Sequence, residues 1–420
     1  MRNNYLFIVS ILLFLFMFGS CNKHGGKKTV LDNFKDVNPS QFEGNVKKYI
    51  LSDGNPEKIQ IKDWGKEQLL KLSTLFVSIE FVKLSDEPEA VIGNINKIVI
   101  QDTCIYILDR YKTKSLKKFS IRGEYLATIG TRGPGPEEYF EPTDFMVSKD
   151  EITVSDQFKS DLKFYNLSGH FQYAQRVPFI FRKFFFFSPN QYVFHANDAD
   201  NNHLESILNW SVYETDSLFH INYKGFLWPN NKYIPLFVEN NFYPYADKIF
   251  FHPTFNDTIY SISTNHHIQV EYIMDFPNGK IPEYYLLNEN NKEFLKIQKD
   301  ESYAFFPGNF VPMEDYLYFE YYEKNTIHRV VYSKKTKKAI VGSKILNDIN
   351  YIFSYNNILT STKDNVLVGY MQSYLIGDFF GDKRPRNKWV NEIGEENTRI
   401  AENIKSEDNP ILLFFKIKDF

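Results

Sequence analysis

The sequence predicts an all-β chain folded as a six-bladed β-propeller. A strand from the N-terminal side completes the last blade, and small helical insertions interrupt the pattern. Three observations carry this. A set of short strands recurs, Asp109 returning at Asp156 after 47 residues and Gly123 at Gly169 after 46. Phe, Tyr and Trp make up 17% of the chain, a composition suited to strands. One strand also stands alone ahead of the first group, while the last group lacks its fourth.

The first group holds Ile105-Tyr106-Ile107-Leu108-Asp109, Leu116-Lys117-Lys118-Phe119 and Gly123-Glu124-Tyr125-Leu126. The second holds Ile152-Thr153-Val154-Ser155-Asp156, Leu162-Lys163-Phe164-Tyr165 and Gly169-His170-Phe171-Gln172. Weaker copies follow within 184–223, 242–276 and 303–345, and the last group holds 349–354, 365–371 and 411–418. Turn residues separate the strands, and four strands per 40–50 residues is the spacing of propeller blades. Two polar stretches, near 278–302 and 376–410, read as insertions, the second with a helix-like run at Glu395–Lys405. The lone strand is Ser78–Leu84. An open ring would expose strand edges, so this strand is expected to complete blade six beside Leu412–Lys416, placing the propeller at residues 77–420.

With 43% hydrophobic residues in 420, the chain can bury a large core, and disorder is excluded for most of it. Lys and Arg number 49 against 52 Asp and Glu, a net charge of −3, which excludes the strongly basic footprint of a nucleic-acid binder. Two cysteines exclude a disulfide scaffold.

Residues 1–20 read as an export signal: Arg2 supplies the positive end, and the apolar run from Tyr5 to Phe18 is shorter than the roughly 20 residues a membrane span needs. Phe18-Gly19-Ser20-Cys21 resembles the bacterial lipobox, which implies lipid attachment at Cys21 and, through it, a membrane partner. Residues 21–76 are then the lipidated cysteine, a tether and a lead-in across the propeller. Asn22–Lys28 is a flexible basic stretch, and the tether is expected to run as far as Ser40. The lead-in contains Trp64 and a short helix expected near Lys66–Lys71. With Cys21 acylated, Cys104 has no intramolecular partner and is expected to act as a small buried hydrophobe.

Several segments together resemble a known family. Leu72–Phe76, Ile79–Leu84 and Ile92–Ile98 are similar to the opening of the six-bladed β-propeller lipoproteins of Bacteroides-like bacteria. The glycine-rich loop Ile129-Gly130-Thr131-Arg132-Gly133-Pro134-Gly135-Pro136-Glu137-Glu138-Tyr139 matches their next hallmark, as do Phe255–Tyr260 and Asp408–Leu412. Glu137 stands where the family usually has a third glycine. The likeness covers roughly residues 70–420 and extends more distantly to NHL-repeat propellers. It implies the fold and a place in the cell envelope, but no defined activity. Surface-exported lipoproteins of such bacteria tend to carry acidic residues just after the cysteine; this chain has none there, so the periplasmic side of the outer membrane is expected.

The Gly130–Tyr139 loop offers backbone N–H groups of the kind that cradle phosphates. However, it joins two β-blades and holds two prolines, whereas a dinucleotide fingerprint opens a helix. It is expected to be a rigid turn between blades. Arg132, Gly133, Gly135, Glu138 and Tyr139 form its possible ligand-facing part. Zinc-lyase relatives of the NHL propellers make histidines worth testing. His195 and His252 share a register in their blades and so point to equivalent faces, yet no histidine pair has zinc-site spacing, so packing residues are expected and no metal or cofactor. No Gly-x-Ser-x-Gly elbow is present, and Cys104 has no evident histidine partner. Rings such as Phe184–Phe187 are expected to fill space between blades rather than stack on sugars, and Lys334–Lys338 to be a solvated hairpin turn. The expected function is a lipid-anchored binding module that takes a glycan, peptide or partner protein on one propeller face. The alternative is a periplasmic hydrolase or lyase working at the channel mouth.

Overall fold

The computed structural model describes residues 33–420 apart from 53, 62–68, 198, 229–237, 239, 254–255, 277–280, 288–290, 298–302, 324–325, 353–354, 356 and 381–385. Six antiparallel sheets are arranged as the blades of a propeller. Blade 1 comprises Lys97–Gln101, Cys104–Asp109, Ser115–Ser120 and Tyr125–Ile129; blade 2 comprises Pro142–Val147, Glu151–Asp156, Asp161–Asn166 and Phe171–Arg176. Blade 3 holds Lys183–Ser188, Gln191–His195, Trp210–Thr215 and Ile221–Leu227, and blade 4 holds Phe242–Tyr245, Lys248–Phe251, Thr258–Ser263 and His267–Asp275. In blade 5 two short inner pieces, Ala304–Phe305 and Phe310–Pro312, pair with Tyr316–Glu323, followed by Thr326–Ser333 and Ala339–Gly342. Blade 6 is Ile358–Ser361, Val366–Met371 and Ile411–Ile417, closed by Phe76–Lys83.

Side chains alternate across a strand, so a blade sandwiched between two others must be apolar on both faces. This is why the strands read as nearly unbroken hydrophobic runs. Ile105 and Ile107 pack toward blade 6, whereas Tyr106 and Leu108 pack toward blade 2. Six such layers form, one between each pair of neighbouring blades. The Phe184–Phe187 run divides in the same way, Phe184 and Phe186 entering the layer with blade 2 and Phe185 and Phe187 the layer with blade 4. The repeating glycines have a single cause. Gly123 and Gly169 sit at φ +90° and +87° in equivalent turns, and a Cβ on either would press on the preceding blade's outer strand, at the Lys83 or Thr128 carbonyl.

The N-terminal strand closes the ring as expected: Leu413 faces Phe81 and Phe415 faces Ile79 in the antiparallel pair. Before reaching blade 6, the chain runs around the rim as a belt. Glu43–Lys48 adds a parallel fifth strand to blade 3, and Ile50–Ser52 and Glu57–Gln60 do so on blade 4. Leu69–Lys71 then pairs with Lys344–Leu346, beyond the outer strand of blade 5. The belt also plugs the layers it crosses. Phe42 and Val46 enter the layer of blades 2 and 3, Tyr49 that of blades 3 and 4, Ile59 and Ile61 that of blades 4 and 5, and Leu70 that of blades 5 and 6. Tyr49 also donates to buried Glu214 at 2.9 Å, and His266 lies 3.0 Å from that carboxylate.

Four expectations are corrected here. Residues 69–71 are strand rather than helix; Trp64 and residues 66–68 lie outside the described residues. The docked chain begins by Asn33, not after Ser40: Phe34 is buried and stacks on His203 at 4.7 Å, and Arg176 holds Asp36 through two 2.7 Å bonds. The Lys334–Lys338 turn is not merely solvated, because Lys337 pairs with the belt's Glu57 at 2.6 Å and Lys334 donates to the Met313 carbonyl. Cys104 is only half-buried, at the start of its strand.

The belt should therefore contribute measurably to stability. Ile59→Ala, at a site 1% exposed, should cost about 2–5 kcal/mol, whereas Ile50→Ala on the same belt, 55% exposed, should stay within about 0.5 kcal/mol. Urea denaturation midpoints of the two variants check this.

Candidate functional site

The connections from second to third strand and from each outer strand to the next blade lie on one face of the disc; the tight turns lie on the other. Aspartates that mark the sequence repeat organise the loop face. Asp109 accepts backbone N–H bonds from Gly93 and Asn94 in the incoming loop and from Tyr111, Lys112 and Thr113 in the outgoing one. Asp156 does the same for Phe140, Glu141, Phe158 and Lys159. One carboxylate thus fixes two loops per blade, which is why aspartate recurs at this spacing.

Where the inner strands begin, each blade presents a polar residue at the same register position: Lys97, Asp144, Lys183, Asn241, Asn309 and Asn357. The alternating hydrophobic pattern hides this ring, because every member except Asp144, the third residue of its strand, is the first residue of its strand or immediately precedes it. Lys97 Nζ lies 2.7 Å from buried Asp144, whose other oxygen accepts the Phe184 N–H. Asn309 donates at 2.7 Å to Glu320, a carboxylate also held by the Tyr318 hydroxyl and lying 3.4 Å from Arg329. Because Glu320 only accepts, the Asn309 amide is fixed with its N–H₂ group inward and its carbonyl oxygen available. Below the mouth, Tyr243 reaches Thr360 and Asn240 the Leu359 carbonyl, linking blade 4 to blade 6.

In the glycine-rich loop the polarity is opposite to that of a phosphate cradle. Lys159 Nζ collects the carbonyls of Gly135 and Glu138 at 2.6 and 2.7 Å, with those of Pro134 and Gly133 at 3.3 and 3.5 Å. Lys163 takes the Pro136 carbonyl and the Tyr165 hydroxyl the Glu137 carbonyl. Tyr139 is fully buried, its hydroxyl bridging the Ile129 carbonyl and the Leu116 N–H. Glu138 turns back onto the Gly135 N–H and packs against Gly133. Of the five candidate residues in this loop, only Arg132 is exposed. Its guanidinium lies 5.6 Å from the centre of the Phe140 ring, and Phe140 packs at 4.7 Å, tilted by 37°, against Phe158.

His195 and His252 do face equivalent directions, each toward the next blade, but they occupy different layers. His195 packs on Phe242 and Phe251, and His252 on Phe306, with its Nε2 at the Asn256 carbonyl. Burial holds them far below the usual 6.5, at about 3 and about 4 respectively, with the charges of Arg182 and Lys183 adding to the shift at His195. Among the described residues no three His, Cys, Asp or Glu side chains gather as a metal site.

Rings are distributed unevenly over the surface. Of the exposed Phe and Tyr rings, Tyr173 sits on the outer strand of blade 2, whereas Tyr111, Phe158, Tyr284, Tyr351 and Tyr374 belong to connections of the loop face. Two helical insertions rise there: Glu283–Leu286 with Asn291–Ile297 between blades 4 and 5, and Ser373–Phe380, Arg386–Ile393 and Glu395–Glu402 within blade 6. Ile376, Ile393 and Ala401 root the second insertion in the layer between blades 5 and 6. The face is therefore walled over blades 4 to 6, whereas blades 1 and 2 carry short loops between their second and third strands.

Residues 56–416 match the family model described as "Domain of unknown function (DUF4934)". The chain belongs to that family. The DUF4934 match begins in the belt and ends in the last strand, so it takes in the closure as well as the blades. No curated protein matches. Among solved structures, a protein of Bacteroides fragilis described as exported is 21% identical with a TM-score of 0.70; the match covers 86% of this chain and all of that one. A DUF4221 member from Bacteroides vulgatus is 10% identical with a TM-score of 0.47, covering 82% of this chain and 97% of that one. The first likeness is one of fold.

The histidine environments of this DUF4934 chain predict a pH dependence. The folded values are depressed, so the unfolded chain takes up protons first as pH falls below 6.5. Stability present above that pH is lost on the way down toward 4 and 3. Each histidine should cost roughly 2 kcal/mol at pH 5. In urea titrations at pH 8 and pH 5, His252→Asn should show a smaller loss between the two conditions than the unsubstituted chain.

Proposed function

We propose that this chain is a lipid-anchored protein of the cell envelope that binds a glycan, a peptide or a partner protein on its loop-bearing face. The reading rests on one observation: exposed rings and fixed amides converge on a single face. Tyr111, Phe158, Tyr351 and Tyr374 lie on the same face as the inner-strand starts, where Asn309 and Asn357 have their amides held by Glu320 and the Tyr370 carbonyl. Flat rings and oriented amides are recognition groups, and a propeller gathers them from every blade onto a rigid scaffold. Arg132, Gly133, Gly135, Glu138 and Tyr139 contribute unequally. Arg132 touches the ligand, while the other four build the loop that carries it.

The alternative of a hydrolase or lyase finds less support in the geometry. Asp144 is engaged by Lys97, Glu320 by three neighbours, and the two candidate histidines pack between blades. The envelope location rests on the signal-like N-terminus and Cys21, with the periplasmic side of the outer membrane favoured by the absence of acidic residues from Asn22–Lys28, just after the cysteine. No helix among the described residues is long and apolar enough to cross a membrane.

Two outcomes are expected. Cys21→Ala should move the protein from the detergent phase to the aqueous phase on Triton X-114 partitioning, because one thiol carries the anchor; an unchanged partition removes the lipoprotein reading. Ligand recovered with the purified protein and identified by mass spectrometry should fall at least tenfold in Tyr351→Ser/Tyr374→Ser. It should be retained in Leu218→Ser, 66% exposed on the opposite face. The reverse pattern places recognition on the wrong side of the disc for this proposal.

A further inference from the structure

We infer that Arg132, Phe140 and Phe158 form an anion-and-ring subsite, and that the ligand of the loop face is a carboxylated sugar. The inference rests on the binding reading above and narrows it to a substrate class.

The observations are local and mutually consistent. Arg132 is exposed, lies 5.6 Å from the centre of the Phe140 ring, and forms no ion pair among the described residues. A guanidinium lying over a ring without an ion-pair partner keeps N–H donors for a planar anion, and a carboxylate fits its fork with two parallel bonds. The other charges of the loop are largely turned elsewhere. Glu138 bends back onto Gly135 N–H, Lys159 fills the carbonyl cluster, and Lys114 lies 3.1 Å from Glu141; Glu137 is the exposed acid at the loop's far end. Next to the guanidinium, the Phe158 ring is 46% exposed, a flat apolar surface of the kind a pyranose ring covers.

The platform is braced from two directions. Asp156 holds the backbone N–H groups of both Phe140 and Phe158. From outside, the belt's Asn33 donates to the Phe158 carbonyl at 2.8 Å and to the Ser160 hydroxyl at 3.2 Å, and Asn33 and Asp36 are in turn held by Arg176. An exposed ring braced on both sides is pre-organised for a partner. Toward the axis, the Asn309 carbonyl oxygen is an acceptor suited to hydroxyls. A carboxylate, a flat ring face and hydroxyl donors together describe an acidic saccharide, which repeats all three on every sugar unit.

The test is calorimetric titration of the purified chain with a galacturonate trisaccharide and with the galactose trisaccharide of the same linkage. The acidic probe should bind at least tenfold more tightly than the neutral one. Arg132→Ala should abolish that preference, Arg132→Lys should restore only part of it, and Phe158→Ala should weaken both probes; all three should keep the parent melting temperature. Equal binding of the two probes, no binding of either, or an Arg132→Ala variant that keeps its preference overturns the assignment. None of these results removes the broader reading, which fails separately if the recovered ligand survives Tyr351→Ser/Tyr374→Ser.

Discussion

Each blade of this molecule is apolar on both faces, and everything else follows from the need to cover twelve such faces at once. A linear stack would leave two of them in water, at about 25 cal/mol for every Å² of apolar surface left bare. A closed ring leaves none. The antiparallel pair between Phe76–Lys83 and Ile411–Ile417 completes that ring, and its side chains serve two layers: Leu413 and Phe415 pack toward blade 5, Leu412 toward blade 1.

The belt extends the same logic outward. Outer strands of a propeller carry unpaired backbone groups on their free edges, which invite association. Here the chain's own N-terminal segment occupies those edges on blades 3 and 4, and reaches blade 5 through Lys344–Leu346. It does so with parallel strands short enough to hop from one blade to the next. Each hop delivers an apolar side chain into the layer below, so the belt is both edge cover and wedge. Its beginning at Asn33 braces the loop carrying Phe158, which makes the rim and the loop face one mechanical unit.

Much of this was legible in the sequence because repetition is legible. The recurrence of Asp109 at Asp156 and of Gly123 at Gly169 reflects two strict requirements: a carboxylate that ties two loops together, and a turn with positive φ pressed against the neighbouring strand. The unmatched strand pointed to closure for the same reason. The belt was not legible. Its strands are three to six residues long and pair with partners more than 150 residues away, so neither period nor turn residues announce them; Leu69–Lys71 consequently read as helix. The polar ring at the mouth was missed because its members differ in chemistry, Lys, Asp and Asn, and share only a register. The glycine-rich loop was seen, yet its polarity was not, since the carbonyls that face Lys159 and Lys163 belong to the backbone and leave no mark in the residue types.

Finally, the closure and the belt impose an order of events on the molecule's formation. The residues that leave the ribosome early, 33–83, find their partners on segments made later, up to Ile417 at the far end of the chain. Mean sequence separation between contacting residues is therefore large, and folding of such a topology is slow relative to local helical assemblies. Until Ile411–Ile417 has appeared, blade 6 lacks its third strand and Phe76–Lys83 has no strand to pair with, so a closed ring cannot form on a partly synthesised chain. A polypeptide whose ring waits on its last strand keeps apolar faces of its earlier blades uncovered until synthesis is complete.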